Sequence, residues 1–148
     1  MIKGVRVARG SYRLVGGLKA ADEHYKWLSE KFGYSIPTPE NLINLIGYQF
    51  LGQADFDAAI ATFKSNVERY PNSANVYDSL AEAYEKHDQL DLAAPLYEKA
   101  HSLGQQNKDP NATIYTANFK RASDKLKQAA AAKQTDAAKQ AGAAKKNQ

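Results

Sequence analysis

The sequence predicts an all-α chain, an antiparallel helix-hairpin solenoid of about six helices in which two repeats are flanked by capping helices. Two observations predict it. Between Glu40 and Leu103 one pattern of large, small and aromatic residues is written twice, 34 residues apart. It pairs Ile43 with Tyr77, Ile46 with Leu80, Gly47 with Ala81, Phe50 with Tyr84, Phe56 with Leu90, Ala59 with Ala93 and Phe63 with Tyr97. Each copy also reads as two amphipathic helices, with Gly47 or Ala81 on the first and Ala59 or Ala93 on the second, where paired helices must approach closely.

In chain order, residues 1–17 are cut by Gly4, Gly10 and the Gly16-Gly17 pair into pieces too short to pack alone, and they read as a connector. The helical domain is expected over residues 18–127. From Leu18 to Phe32 the apolar residues Leu18, Ala21, Tyr25, Leu28 and Phe32 step by three and four, one helix face, with Trp27 to one side and Gly33 as a left-handed stop. Thr38 is expected to cap the next helix, with Pro39 at its first position. The first repeat, about 40–73, then holds helices at about 39–51 and 55–69, turning at Gly52 and stopping before Pro71. In the second, about 74–104, Ser73 is expected to cap a helix to about 87. Asp91 is expected to cap a short one over about 92–103, which would keep Pro95 among its first four residues, where a missing N–H is harmless. Gly104 ends the repeat. A capping helix follows over about 110–127, with Tyr115, Phe119, Ala122 and Leu126 at four-three-four spacing. After Leu126 no apolar side chain exceeds alanine, so residues 128–148 read as an Ala/Lys/Gln-rich tail with helix propensity but no face to bury.

The 34-residue offset is the tetratricopeptide (TPR) period, and the chain resembles that class of helical repeat. Composition bounds the rest. At 148 residues there is room for one domain, and no apolar run approaches the roughly 18 residues a membrane span needs. No secretory signal is visible, so the default expectation is cytoplasmic, and the absence of cysteine removes disulfides and thiolate chemistry. Charge is uneven: residues 1–38 carry 7 Lys+Arg against 3 Asp+Glu, residues 39–119 carry 5 against 11, and residues 120–148 carry 8 against 2. The repeat region is acidic and both ends are basic, so the pI of 9.2 says little about the folded part.

No catalytic constellation is written in the sequence. There is no G-x-S-x-G elbow, no H-E-x-x-H and no phosphate-binding glycine loop, and His24, His87 and His101 each stand apart from any metal-ligand pattern. No cofactor or metal is expected. What the pattern offers is a surface. The leading helices of the two repeats leave Asn41, Asn44 and Tyr48 in the first, and Asn75, Asp78, Glu82 and Glu85 in the second, free of the packing pattern and placed to line a groove. Such a groove favours a basic or polar protein or peptide ligand and repels an acidic C-terminal peptide; the same acids also fit a plain solvated face. The tail lysines Lys127, Lys133, Lys139, Lys145 and Lys146, with Lys120, Arg121 and Lys125, make a polyanion contact the alternative function. The lack of aromatic residues beyond Phe119 argues against base stacking, and the lack of large apolar ones against membrane insertion.

The run FKSNVERYPNSANVYDSLAEAYEKH (Phe63–His87), with HYKWLSEKFGYSIPTPENLINLIGYQFL upstream (His24–Leu51), resembles the C-terminal TPR-bearing region of bacterial α/β-hydrolase-fold esterases. The resemblance covers about residues 24–127. In such proteins the catalytic serine, acid and histidine lie upstream of this region, so none maps onto a residue here. It implies a non-catalytic accessory or interaction module, a detached tail or a stand-alone relative, that would pack on a hydrolase domain through an exposed apolar face near Trp27, Leu14 and Val15. Two repeats make a small core, and self-association would cover its open ends.

Overall fold

A computed structural model describes the backbone of residues 5–8, 11–14 and 16–146, and the side chains of residues 16–135. Six helices make up the body: α1 (Gly17–Phe32), α2 (Glu40–Leu51), α3 (Phe56–Arg69), α4 (Ala74–Lys86), α5 (Leu90–Gln106) and α6 (Ala112–Lys146). Within the stretch read as a connector, strands β1 (Val5–Ala8) and β2 (Ser11–Leu14) pair as a short antiparallel hairpin, with Val5 opposite Leu14 and Ala8 opposite Ser11.

From α2 onward each helix packs chiefly on the next in sequence, and α2 also touches α4, as α4 touches α6. Side-chain bonds give the directions. Asn66, near the end of α3, donates to the Glu40 carbonyl at the start of α2 (3.2 Å), so α2 and α3 are antiparallel. Asn75 at the start of α4 reaches Glu40 (3.0 Å), and Tyr48 further along α2 reaches Glu82 (2.9 Å), so α2 and α4 are parallel. Asn118 with Asp78, and Arg121 with Glu85, set α6 parallel to α4.

The α2–α3 and α4–α5 turns repeat in atomic detail, and the α5–α6 turn shares their pattern, with Asp109 N–H to Gly104, Lys108 N–H to Gln105 and Lys108 left-handed at φ 52°. Asp55 N–H bonds the Phe50 carbonyl and Ala54 N–H bonds that of Leu51; 34 residues later Gln89 N–H bonds Tyr84 and Asp88 N–H bonds Glu85. Ala54 and Asp88, also 34 apart, are both left-handed at φ 57°. One turn geometry therefore serves both helix pairs, and it is built without glycine at the strained position.

The core is continuous from α2 to α6. Leu51, Ile60, Phe63, Leu80, Tyr84, Tyr97 and Ala122 form one buried cluster, flanked by Phe50, Phe56, Val67, Leu90, Leu96, Phe119 and Leu126. Gly47 belongs to it by its bareness: a Cβ there would lie 2.4 Å from the Phe63 ring. Burying such aromatic and aliphatic groups contributes about 1.5–3 kcal/mol each, so this cluster dominates the stability of the body.

Several helix ends differ from expectation. Pro39, not Thr38, is the N-cap of α2: the Pro39 carbonyl accepts from Leu42 and Ile43, while the Thr38 side chain is turned toward α1, its hydroxyl donating to Asp22 Oδ1 at 2.6 Å. Ser73 occupies the N-cap of α4, but its hydroxyl donates to Glu40 (3.0 Å) and leaves the α4 amides alone. α5 begins at Leu90 with Gln89 as its cap, since the Gln89 carbonyl already accepts from Leu92 and Ala93. Asp91 thus sits in the first turn and Pro95 past it; Asp91 and Pro95 are both exposed, so the carbonyl that loses its N–H partner lies on the solvent side. Gly104 does not stop α5, which runs on to Gln106. Its bareness serves the Tyr115 ring of α6, which a Cβ would meet at 2.7 Å.

Candidate functional site

The residues expected to line a groove all fall on α2 and α4, and the structure joins most of them to each other and to α6. The Tyr48 hydroxyl donates to Glu82 Oε2 (2.9 Å) and lies 3.3 Å from Ser79 Oγ. Burial holds the Tyr48 phenol well above its ordinary value, and the charges of Glu82 and Asp78 add to this, so it stays a neutral donor. Asn75 donates to Glu40 Oε1 at 3.0 Å, closing the groove's N-terminal end. Asn41 is exposed, while Asn44 is half-buried with its Oδ1 fully enclosed and unpartnered.

The three acids have different surroundings. Asp78 is half-buried and accepts from Asn118 Nδ2 at 2.9 Å. Burial raises its carboxyl, with Glu82 adding to the rise and Asn118 and Arg121 opposing it. No cation forms an ion pair with Asp78 among the described residues. Glu82 has Lys86 at 3.5 Å one turn along the same helix. Glu85 accepts from Arg121, from Lys125 Nζ (2.7 Å) and from the Tyr97 hydroxyl (2.8 Å). Burial pushes the Glu85 carboxyl up, but those three bonds together outweigh it and hold it at about 2. Glu85 is committed to fastening α6 on α4, which leaves Asp78 and Glu82 as the groove's available negative charge.

A pocket of about 440 Å³ opens at the C-terminal end of this face, lined by Glu82, Glu85, Lys86, Tyr97, Asn118 and Arg121. The Arg121 guanidinium lies 5.5 Å from the centre of the Tyr97 ring, and its Nη2 is 3.4 Å from the Tyr97 oxygen. On the flanking helices, Leu45 of α2 and Ile114 in the first turn of α6 are exposed apolar residues, 59% and 55% accessible. The face therefore combines acceptors along its floor with aliphatic edges.

No protein-family model matches the chain, and no curated protein matches it. The site thus stands on its own geometry. Asn118 and Arg121 were missed as groove residues because α6 reads there only as a cap, and Tyr97 on α5 because it reads as a core aromatic of the second repeat. The available signal was Asn118, Arg121 and Lys125 recurring at three and four beside the Tyr115, Phe119 and Ala122 face.

The histidines all have ring neighbours. His24 stacks near Trp27 (6.0 Å), His87 on Phe56 (4.9 Å) and His101 on Phe119 (5.4 Å). His101 Nδ1 lies 2.9 Å from Thr116 Oγ1, whose own proton goes to the Ala112 carbonyl, so Nδ1 carries hydrogen. Among the described residues no three His, Asp or Glu side chains converge as metal ligands, and no helix is long and apolar enough to cross a membrane.

Proposed function

We propose that this chain is a non-catalytic docking module with a TPR-like arrangement, whose α2–α4–α6 face holds a basic or polar segment of a partner protein. One observation carries the reading: Asp78 lies half-buried at the centre of three parallel helices, hydrogen-bonded by Asn118 and ion-paired to nothing described, so its charge is left for a ligand. A lysine or arginine from a partner would meet Asp78 and Glu82 with its aliphatic stem between Leu45 and Ile114. The turn repeated at 34 residues and the parallel run of α2, α4 and α6 support the TPR-like reading. The resemblance to an esterase tail adds a second setting for the same module, packed beside a hydrolase domain, and Trp27 at 51% exposure on α1 is consistent with such a contact.

Binding is tested by isothermal titration of the chain with a lysine-rich 12-residue peptide and with its glutamate counterpart. The lysine peptide alone should bind, with an affinity that falls as salt rises, and Asp78→Asn with Glu82→Gln should weaken it about tenfold or more. Equal binding of both peptides, or none of either, would exclude the reading.

A further inference from the structure

α1 is held differently from every other helix. Of its sixteen residues only Ala21 is buried. Leu18, Tyr25 and Leu28 are half-buried, and Trp27 and Phe32 are 51% and 55% exposed. None of its side chains belongs to the core clusters that unite α2 to α6. Beside these few apolar contacts its attachment is a local polar junction. Asp22 takes a two-pronged bond from Arg69 of α3, with Nη1 to Oδ1 at 2.7 Å and Nη2 to Oδ2 at 2.8 Å, and the Thr38 hydroxyl closes on Oδ1. Across the same junction the Tyr70 hydroxyl donates to the Thr38 carbonyl at 2.7 Å.

The link from α1 to α2 is suited to bending at one point. Gly33 is left-handed at φ 76° with nothing near its missing Cβ, and its backbone is held by one bond, N–H to the Ser29 carbonyl (2.9 Å). The residues after it are stiffened by Pro37 and Pro39, and the Ile36 N–H bond to Ser29 Oγ (2.8 Å) spans the glycine, so a bend there must break that one bond.

We propose that α1 is a latched strap: it opens from α2 and α3 as a unit, hinged near Gly33, while α2–α6 remain folded, and the Asp22–Arg69 pair is the latch. On the α1 side opening gives up one buried alanine and the half-buried Leu18, Tyr25 and Leu28, whereas removing any of α2–α6 breaks the common core. Local openings of this kind occur with free energies well below that of global unfolding. The movement uncovers the Phe50 edge, whose ring lies 3.2 Å from where a Cβ on Gly17 would be, and lays open the junction around Thr38 and Tyr70.

Hydrogen exchange of the full chain at neutral pH tests this. In the native sequence the amides of Gly17–Phe32 should exchange at least a hundredfold faster than those of α4. Asp22→Asn and Arg69→Gln should each speed α1 exchange about fivefold, the scale of a partly exposed ion pair, with α4 unchanged. The double variant should fall well short of the sum of the two single ones, because both remove the Asp22–Arg69 bond. The lone tryptophan, Trp27, gives an independent reading: its fluorescence transition in urea should precede the loss of helical circular dichroism. Exchange of α1 and α4 at one rate, equal acceleration of both by the variants, additive effects in the double variant, or coincident urea transitions would each overturn the proposal.

Discussion

Replacing Gly47 by alanine puts one methyl group where the structure has no room for it. The new Cβ would lie 2.4 Å from Phe63 Cε1 and 2.7 Å from both Cδ1 and Cζ, against about 3.5–4 Å for relaxed carbon contacts. Phe63 is wholly buried and cannot swing aside. It also meets the Tyr48 ring edge-on at 5.2 Å, so any shift disturbs the hydroxyl that bridges α2 to α4. Overpacking costs about 1–3 kcal/mol, and a 2.4 Å contact on an immobile ring falls in the upper part of that range, about 2–3 kcal/mol, against which alanine returns about 1 kcal/mol in helix propensity. The expected net is a destabilisation of about 1–2 kcal/mol, or a Tm lower by about 4–8 °C for a domain of this size. The second helix pair supplies the contrast, because Ala81 occupies the equivalent position beside Tyr97 and is accommodated. Thermal unfolding followed by circular dichroism measures the effect, and Phe63→Leu in the Gly47→Ala background should recover part of the loss by opening space. An unchanged or raised Tm for Gly47→Ala would refute the close approach of α2 and α3.

Other outcomes follow from single sites. Glu85 is held at about 2, below its ordinary 4.5, so it stabilises the fold above pH 4.5 and that contribution is lost as pH falls toward 2. With Arg121 and Lys125 about half exposed, the worth is about 1–2 kcal/mol, and urea unfolding of Glu85→Gln should differ from the native chain at pH 7 and converge with it only as pH falls through about 2. Ala54 carries a left-handed φ of 57°, which costs an L-residue about 1–2 kcal/mol, so Ala54→Gly should stabilise by up to about 1 kcal/mol in the same assay. Gly104→Ala should lower the Tm by a few degrees, since its Cβ would strike the buried Tyr115 ring, and a neutral result would place α6 farther from α5 than the structure does.

The helices were legible because their faces are written in residue size. Gly47 against Phe63 and Ala93 in the buried cluster follow from the spacing alone, and so does the left-handed Gly33. Helix starts were less legible, because Thr38, Ser73 and Asp91 are sound caps by residue type but other partners compete for them. The Thr38 hydroxyl is oriented to donate to Asp22 and the Ser73 hydroxyl to donate to Glu40, and neither oxygen accepts from an amide of the helix that follows. Gly104 misled in the opposite direction: a helix-ending residue by propensity, it is retained inside α5 for contact with Tyr115. The seven groove residues could be placed on their helices from periodicity, but their charge state could not. Whether an acid is free or spent depends on what packs above it, and Arg121 and Lys125 reach Glu85 across 36 and 40 residues with no repeat to announce them.

The central claim, that the α2–α4–α6 face receives a basic segment at Asp78 and Glu82, is tested most directly by mapping amide chemical shifts while the lysine-rich peptide is titrated in. The account predicts shifts concentrated at Asn41, Asn44, Tyr48, Asn75, Asp78, Glu82 and Asn118 that disappear in the Asp78→Asn, Glu82→Gln chain. Shifts spread over all acidic residues alike, or gathered on α1 or α3 with this face silent, would contradict it.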